Sequence, residues 1–230
     1  MDDDLDLRDF SGTTRLFPLP GAVLFPHAVL PLHVFEPRYR EMTEDALDDD
    51  RLVTIVSLRT LPAVQGVALG SPPVEEVGCL GRIIRHERLP DGRFNFLLLG
   101  RKRVRLRREL AGGKLYRTAE VEVLDDRYDE QPEEPRRSEL IALFRRAFER
   151  QQKLDPDLAS MLENALPLGV LSDIIAHALG LPSGVKQRLL AEPEVDTRVR
   201  TLLAVLRQIP SPDFETIGDD RPFPPPFCCN

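Results

Sequence analysis

Side chains that commonly carry catalysis or bind metals are few in this sequence, and they do not converge on one motif. None of the histidines lies in an H-E-x-x-H pattern or in a close pairing with cysteine that would hold zinc. They are His27, His33, His86 and His177. We therefore predict structural roles for the histidines, with no metal and no other cofactor bound.

The three cysteines predict neither a disulfide framework nor a metal site. Cys79 stands alone among strand-forming residues, which favours a small buried side chain, whereas Cys228 and Cys229 have no neighbouring base to activate a thiolate. The chain begins with acidic residues and has no apolar run near the roughly 20 residues that span a bilayer. We therefore expect a reduced, cytoplasmic protein without membrane contact.

Nucleotide and peptidase chemistry also lack their motifs. A phosphate-binding loop requires G-x-x-x-x-G-K-[ST], and the nearest approach is Gly112-Gly113-Lys114, with Arg108 where the first glycine belongs and Leu115 in place of Ser or Thr. We interpret this stretch as a hairpin turn. No lysine lies in a recognisable peptidase motif beside a serine. The sequence therefore predicts a protein without catalytic activity.

Basic charge is concentrated in one segment, although the whole chain carries a net charge of -7. Residues 81–117 hold twelve Arg or Lys against three acidic residues, a local charge of +9. The candidate basic surface within this segment consists of Arg101, Arg103, Arg105 and Arg107. Such a concentration can mark a nucleic-acid surface, with binding that weakens as salt rises.

An ordinary outer strand face also explains these arginines. Arg103, Arg105 and Arg107 alternate with apolar residues, and a hairpin would place them opposite Glu120 and Glu122. Cross-strand pairs of opposite charge stabilise such a face. We favour this local pairing, so nucleic acid is the less favoured partner.

A further candidate site contains three aromatic residues and one arginine near the amino terminus. It consists of Phe25, Phe35, Arg38 and Tyr39. Large aromatic side chains usually close a core between strands and a helix. Alternatively, with the prolines around them, they border a shallow apolar groove on which an extended peptide docks. The sequence does not distinguish these two interpretations.

The first half of the chain has the two-residue period of strands. Apolar content predicts strands at 29–35 and 51–58. The first of them should lie at a sheet edge or a barrel seam, because Pro31 removes a hydrogen-bond donor. A hairpin joins 78–88 to 94–99 across Pro90-Asp91-Gly92. A second pair joins 101–108 to 115–124, and the Pro- and Gly-rich stretch 62–73 is a long loop.

Helical periodicity appears once in this half and throughout the second half. Glu36 and Pro37 begin a helix at about 37–48. From residue 133 the apolar spacing changes to 3.6 residues. It predicts further helices from 133, 155 and 168, and at 183–191 and 194–209.

This pattern gives an α+β protein with four segments. We predict an acidic, disordered tail at 1–12, a β-rich subdomain at 13–126, a helical bundle at 127–212 and a Pro- and Phe-rich tail at 213–230.

Several motifs in this order resemble the amino-terminal, substrate-binding domain of Lon proteases, over about residues 13 to 209. They are Phe17-Pro18-Leu19-Pro20-Gly21, Leu24-Phe25-Pro26, Leu30-Pro31-Leu32, Phe35-Glu36-Pro37-Arg38-Tyr39-Arg40-Glu41-Met42, Val77-Gly78 with Gly81, Leu89-Pro90-Asp91-Gly92-Arg93, and Gly100-Arg101 with Arg103-Val104. The likeness is strongest to the stand-alone bacterial proteins that consist of this domain only.

The resemblance implies a six-stranded, PUA-like pseudobarrel followed by a helical subdomain. It also implies a non-catalytic module for protein quality control that binds unfolded or extended polypeptide, a dedicated protein partner or another copy of itself. Two alternatives stay open: a nucleic-acid-binding PUA-like protein, and a subunit or adaptor of an ATP-dependent protease. An active peptidase would require machinery that these residues lack.

Overall fold

The computed structural model describes residues 10–59, 72–129, 133–148, 162 and 166–208. Its strands are β1 (Thr13–Leu19), β2 (Val29–Val34), β3 (Leu52–Ser57), β4 (Val77–Arg88), β5 (Phe94–Leu110) and β6 (Arg117–Leu124). Its helices are α1 (Pro37–Leu47), α2 (Glu134–Phe148), α3 (Leu168–Ala178), α4 (Ser183–Ala191) and α5 (Val195–Gln208). The predicted α+β fold is confirmed, and none of these helices is long and apolar enough to cross a membrane.

The six strands form one sheet in the order β2-β5-β4-β3-β1-β6. β6 also pairs with β5, so five strands close into a barrel and β2 is added to β5 outside the ring. Only the β1–β3 pair is parallel among these strands. This is the pseudobarrel that the resemblance implies.

β5 is a single strand of 17 residues where we predicted two strands divided at Gly100. A Cβ at Gly100 would lie 2.1 Å from the carbonyl oxygen of Phe25. The glycine therefore admits the close passage of the Phe25 backbone, and it does not turn the chain. A sequence pattern cannot distinguish these two uses of glycine.

The predicted helix start at Glu36 and Pro37 is confirmed. Glu36 is the N-cap in an extended conformation, Pro37 is the first helical residue, and α1 buries Tyr39, Met42 and Ala46 against the sheet. These positions recur at three- and four-residue spacing, so one face of the helix is apolar.

The predicted β4–β5 hairpin is also confirmed. The amide N–H of Gly92 donates to the Leu89 carbonyl at 2.9 Å, and Gly92 has a φ of 82°. A Cβ there would meet the guanidinium of Arg40 from α1 at 2.2 Å. The turn therefore lies against α1 at the side chain of Arg40.

The helices pack together and against the barrel in one continuous apolar core. This core joins Phe25 and Leu98 of the β-rich half to Leu171 and Val199 of the helical half. The predictions for residues 1–9, 62–71 and 213–230 lie outside the described residues, as does most of the helix predicted from 155. The subdomain boundary at residue 126 stays a prediction.

Candidate polypeptide-binding surface

Two of the four predicted site residues lie in the core. Phe25 is buried, and Tyr39 packs its ring 4.3 Å from that of Phe17 while its hydroxyl donates to the Pro18 carbonyl at 3.4 Å. Burial raises the pKa of the Tyr39 phenol. Phe25 and Tyr39 therefore close the core between barrel and helix, and they do not border an open groove.

The other two residues are exposed just beyond β2. Phe35 is 39% exposed and stacks on His33 at a centroid distance of 6.2 Å. The Arg38 guanidinium lies 4.5 Å from the ring centroid of Tyr39 and forms an ion pair with Glu36 at 2.8 Å. Phe35 therefore remains an accessible apolar contact, held in place by its packing on the strand end.

The outer surface of β2, β5 and β4 carries apolar side chains in adjoining rows. Val29 pairs with Leu99, and Pro31 pairs with Leu97. Val29 is 41% exposed, Pro31 is exposed, and the two leucines are half-buried. Directly opposed residues of an antiparallel pair lie on the same face of the sheet. These four side chains therefore form one apolar strip.

A bulge in β4 extends the strip. The register of β4 against β5 shifts between Ile83 and Arg85, which leaves Ile84 as the extra residue, 47% exposed. The strip, Ile84 and Phe35 make up what we name the β2 face: Val29, Pro31, Phe35, Ile84, Leu97 and Leu99. Arg85 beside it is exposed and has no carboxylate partner among the described residues.

The edge of this surface is shaped by Pro31. The Gly100 N–H donates to the Ala28 carbonyl at 2.8 Å, which makes Val29–Leu99 and Pro31–Leu97 the non-hydrogen-bonded pairs of the ladder. The Pro31 nitrogen thus faces away from β5, so the ladder loses no bond there. No described strand pairs with that side of β2.

A polar network closes one end of the β2 face. His33 Nδ1–H donates to Asn95 Oδ1 at 2.7 Å, and Arg93 donates to His33 Nε2 at 3.2 Å. Asn95 Nδ2 in turn donates to Glu87 at 3.5 Å. These contacts fix the imidazole on which Phe35 stacks.

The sequence did not identify the leucines of this surface. Residues 94–99 are apolar at nearly every position, which is typical of a strand buried on both faces. The available signal was Pro31, because a proline in a strand indicates an edge whose outer face has few neighbours to cover it.

Of the four residues of the predicted basic surface, Arg103 is wrongly placed there, because it is buried, whereas Arg105 and Arg107 lie on the outer strand face. Arg105 lies 3.7 Å from Glu122, Arg107 forms an ion pair with the same carboxylate, and Arg108 pairs with Glu120 at 2.7 Å. Arg101 is half-buried. Arg103 is only 2% exposed and forms no pair with Glu120 or Glu122.

Arg103 instead belongs to a buried ionic cluster between barrel and helices. It forms an ion pair with Asp173 of α3, donates to Asp126 at 3.2 Å, and donates through Nε to the Leu190 carbonyl at 3.0 Å. Arg198 of α5 donates to both oxygens of Asp126, at 2.9 and 2.7 Å. We name Arg103, Asp126, Asp173 and Arg198 the seam cluster.

The seam cluster is neutral overall and closely packed. Burial is the largest single influence on the pKa of Arg103 and lowers it, but the charge and hydrogen bonds of Asp173, together with the charge of Asp126, outweigh burial. The net shift of this pKa is upward, so the guanidinium stays charged. A Cβ at Gly169 would lie 2.2 Å from the Asp126 carboxylate. Gly169 therefore admits the close approach of Asp126, and the cluster joins the barrel to the helices.

Among the residues that the structure describes, the remaining reactive side chains do not form a site. Cys79 is buried, as predicted, and burial raises the pKa of its thiol. Burial, with Lys186 nearby, lowers the pKa of His177 to about 4. No group of His, Cys, Asp and Glu in the described part of the chain is arranged to hold a metal ion.

Comparison with known sequences identifies relatives along most of the chain. The Lon protease of Xanthomonas oryzae pv. oryzae is 30% identical over 193 residues, which are 83% of this chain and 22% of that protein. The Lon protease of Escherichia coli K12 is 27% identical over 195 residues, 83% of this chain and 24% of the relative. The chain thus spans about a quarter of the length of these curated relatives.

Solved structures share the same fold. The N-terminal domain of Lon protease from the Mycobacterium avium complex matches with a TM-score of 0.67 at 16% identity, covering 86% of this chain and 99% of that one. A Lon N-terminal domain protein from Xanthomonas campestris matches with a TM-score of 0.60 at 25% identity, covering 84% and 97%.

The model of the ATP-dependent protease La (LON) substrate-binding domain matches residues 13–208. These boundaries agree with the extent of the resemblance in sequence, and they enclose both the barrel and the helices. The chain therefore belongs to the Lon substrate-binding domain family.

Proposed function

We propose that this protein binds unfolded or extended polypeptide at the β2 face, without hydrolysing ATP or peptide bonds. The observation that carries the proposal is an exposed apolar strip on an unpaired sheet edge, in a member of the Lon substrate-binding domain family. Apolar patches of this kind on a soluble domain commonly mark contact surfaces.

The spacing of the strip suits an extended chain. The Val29–Leu99 and Pro31–Leu97 rows are two residues apart along β2, about 7 Å. Side chains on one face of an extended peptide repeat at the same interval. Alternate apolar residues of a client would therefore fall on successive rows.

The edge itself favours contact through side chains. Pro31 removes one of the outward backbone donors that a pairing strand would use. A client that depends on apolar side chains is tolerant of sequence, which fits recognition of unfolded polypeptide. A dedicated protein partner, including a subunit of an ATP-dependent protease, would present its own apolar segment to the same surface.

Nucleic acid is less well supported as a ligand. At least nine of the twelve basic residues in 81–117 lie within 4 Å of a carboxylate: Arg88, Arg93, Lys102, Arg103, Arg105, Arg107, Arg108, Lys114 and Arg117. Phosphates would have to displace these acidic partners.

Titration of a reduced, fluorescently labelled unfolded client into the protein tests the proposal. We expect saturable binding near the micromolar range, about 8 kcal/mol, with little change between low and moderate salt. Leu97→Ser should weaken it by about tenfold, because a buried apolar contact is lost. Leu115→Ser is the matched control, since Leu115 is 65% exposed on the β5–β6 turn, outside the β2 face.

The same experiment distinguishes the alternatives. Absence of client binding by the native protein would refute the proposal. Equal losses in Leu97→Ser and Leu115→Ser would place the client elsewhere. A single-stranded oligonucleotide that binds more tightly than the client and is released by salt would favour the nucleic-acid alternative.

A further inference from the structure

We propose that residues 219–227 of this chain occupy the β2 face in cis and compete there with client polypeptide. The segment reads Asp219-Asp220-Arg221-Pro222-Phe223-Pro224-Pro225-Pro226-Phe227. The inference rests on the proposed function for the competition, but occupancy of the surface by the segment can be measured without any client.

Apolar spacing in the segment matches the surface. In the polyproline II conformation that we propose for the docked segment, which rises about 3.1 Å per residue, Phe223 and Phe227 would lie about 12 Å apart. Pro31 and Phe35 are also four residues apart, about 13 Å along an extended strand. The two phenylalanines therefore reach from the Pro31–Leu97 row to Phe35 at the strand end.

The segment and the edge of β2 both lack some backbone hydrogen-bond donors. Four of the six residues from 222 to 227 are prolines and have no amide donor. Pro31 likewise has none on the edge of β2. Docking through rings and apolar side chains, as in other polyproline recognition, leaves few backbone groups unsatisfied.

Charge orients the segment on the face. Asp219 and Asp220 precede the phenylalanines, and residues 209–230 carry four acidic side chains against one arginine, a charge of -3. Arg85, which is exposed and without a carboxylate partner among the described residues, flanks the Leu97 row. The two aspartates can approach Arg85 while Phe223 and Phe227 cover the strip.

The connecting chain is long enough. α5 ends at Gln208, and the 14 residues from 209 to 222 span up to about 46 Å when extended. A domain of about 200 residues has a radius of gyration near 16 Å, which corresponds to a diameter of about 40 Å. The segment can therefore reach the β2 face from the end of α5.

Tethering makes weak docking sufficient for competition. A tether of this length gives an effective concentration of about 1 mM. If the isolated segment binds with a Kd of about 0.3 mM, the β2 face is occupied about three-quarters of the time. Client binding is then about fourfold weaker than on an uncovered surface.

Amide NMR spectra of the full chain test occupancy directly. Phe223→Ser/Phe227→Ser should shift the amide signals of Val29, Ile84 and Leu97, and a synthetic peptide of residues 217–228 added to this variant should reverse the shifts. Phe214→Ser is the matched control, because it makes the same change outside the segment, and it should shift none of them. Unchanged signals in the double variant would overturn the proposal.

Client titration of the same variants separates the two proposals. We expect the double variant to bind the unfolded client about fourfold more tightly than the native chain or Phe214→Ser. Equal affinities in all three would refute competition while leaving client binding intact. If no variant binds the client although the NMR shifts occur, the segment docks as inferred and the proposed client function is wrong.

Discussion

The two halves of β5 differ in which kind of side chain they bury. In the first half, Leu97 and Leu99 are only half-buried on the β2 face, although they are strongly apolar. In the second half, Arg103 is almost completely buried in the seam cluster, although it is charged. Burial alternates regularly from Phe94 to Gly100, whereas register shifts after Gly100 and after Leu106 interrupt the alternation in the second half.

The neighbours of each half explain the contrast. The first half pairs with the edge strand β2, and no described helix covers the outer face there. In the second half, the side chain of Arg103 faces the helices, which supply Asp173 and the Leu190 carbonyl to it. The burial of a β5 side chain therefore depends on which element packs over that part of the strand. Four measurements test this contrast.

Replacing the buried arginine should have the largest effect. Arg103→Met leaves Asp173 buried without its main partner, and we expect a loss of about 3 to 5 kcal/mol in the free energy of unfolding. Urea titration measures it. Arg105→Met, two residues along the strand and partly exposed, should cost less than about 1 kcal/mol. Similar costs at both positions would mean that the seam cluster is not desolvated.

Acidification should act on the same side of the molecule through His177, one turn beyond Asp173 in α3. The folded pKa is about 4, below the ordinary 6.5, so the unfolded state binds the proton first as pH falls. Stability is complete above about pH 6.5 and is lost towards pH 4, by about 2 to 3 kcal/mol between pH 7 and 4.5.

Unfolding free energies of the native protein and His177→Leu at these two pH values isolate this contribution. Between pH 7 and 4.5, the free energy of unfolding of His177→Leu should fall by about 2 to 3 kcal/mol less than that of the native protein. Equal losses in the two proteins would show that the imidazole is not responsible.

Phe35→Ala tests the exposed side of the contrast. Loss of an accessible ring should weaken client binding about five- to tenfold while changing the free energy of unfolding by less than about 0.5 kcal/mol. Tyr39→Ala should do the reverse, with a cost of about 3 to 5 kcal/mol in stability because its ring is buried. Client titration and urea unfolding of both variants test whether Phe35 contacts the client and whether Tyr39 serves the core. Unaltered client affinity in Phe35→Ala would remove this residue from the β2 face.

The smallest effect is expected from the outer ion pairs of the second half. Arg107 and Glu122 are both about half exposed, so their coupling should be about 0.5 kcal/mol or less. A double-mutant cycle with Arg107→Glu and Glu122→Arg measures it, and the double reversal should restore part of the loss. A coupling above about 2 kcal/mol would show that exposed pairs on this barrel behave like the seam cluster.

Local features of the fold were readable from the sequence because each has a local physical cause. Pro37 after Glu36 fixed the start of α1, the Asp-Gly step fixed the β4–β5 turn, and Pro31 indicated an edge strand. The apolar spacing at 168–178, 183–191 and 195–208 identified the helices for the same reason. The motifs at 16–42 were sufficient to indicate the family.

What the sequence could not decide was which face of each strand another element covers. Arg103 and Arg105 have the same local pattern, yet only the first meets a carboxylate from a helix 70 residues later in the chain. In the sequence, Gly100 resembles the end of a strand, whereas in the structure it lies against the backbone of Phe25. Phe25 and Phe35 are equally apolar, but only Phe35 is exposed. These outcomes depend on contacts between distant segments, which only the tertiary structure specifies.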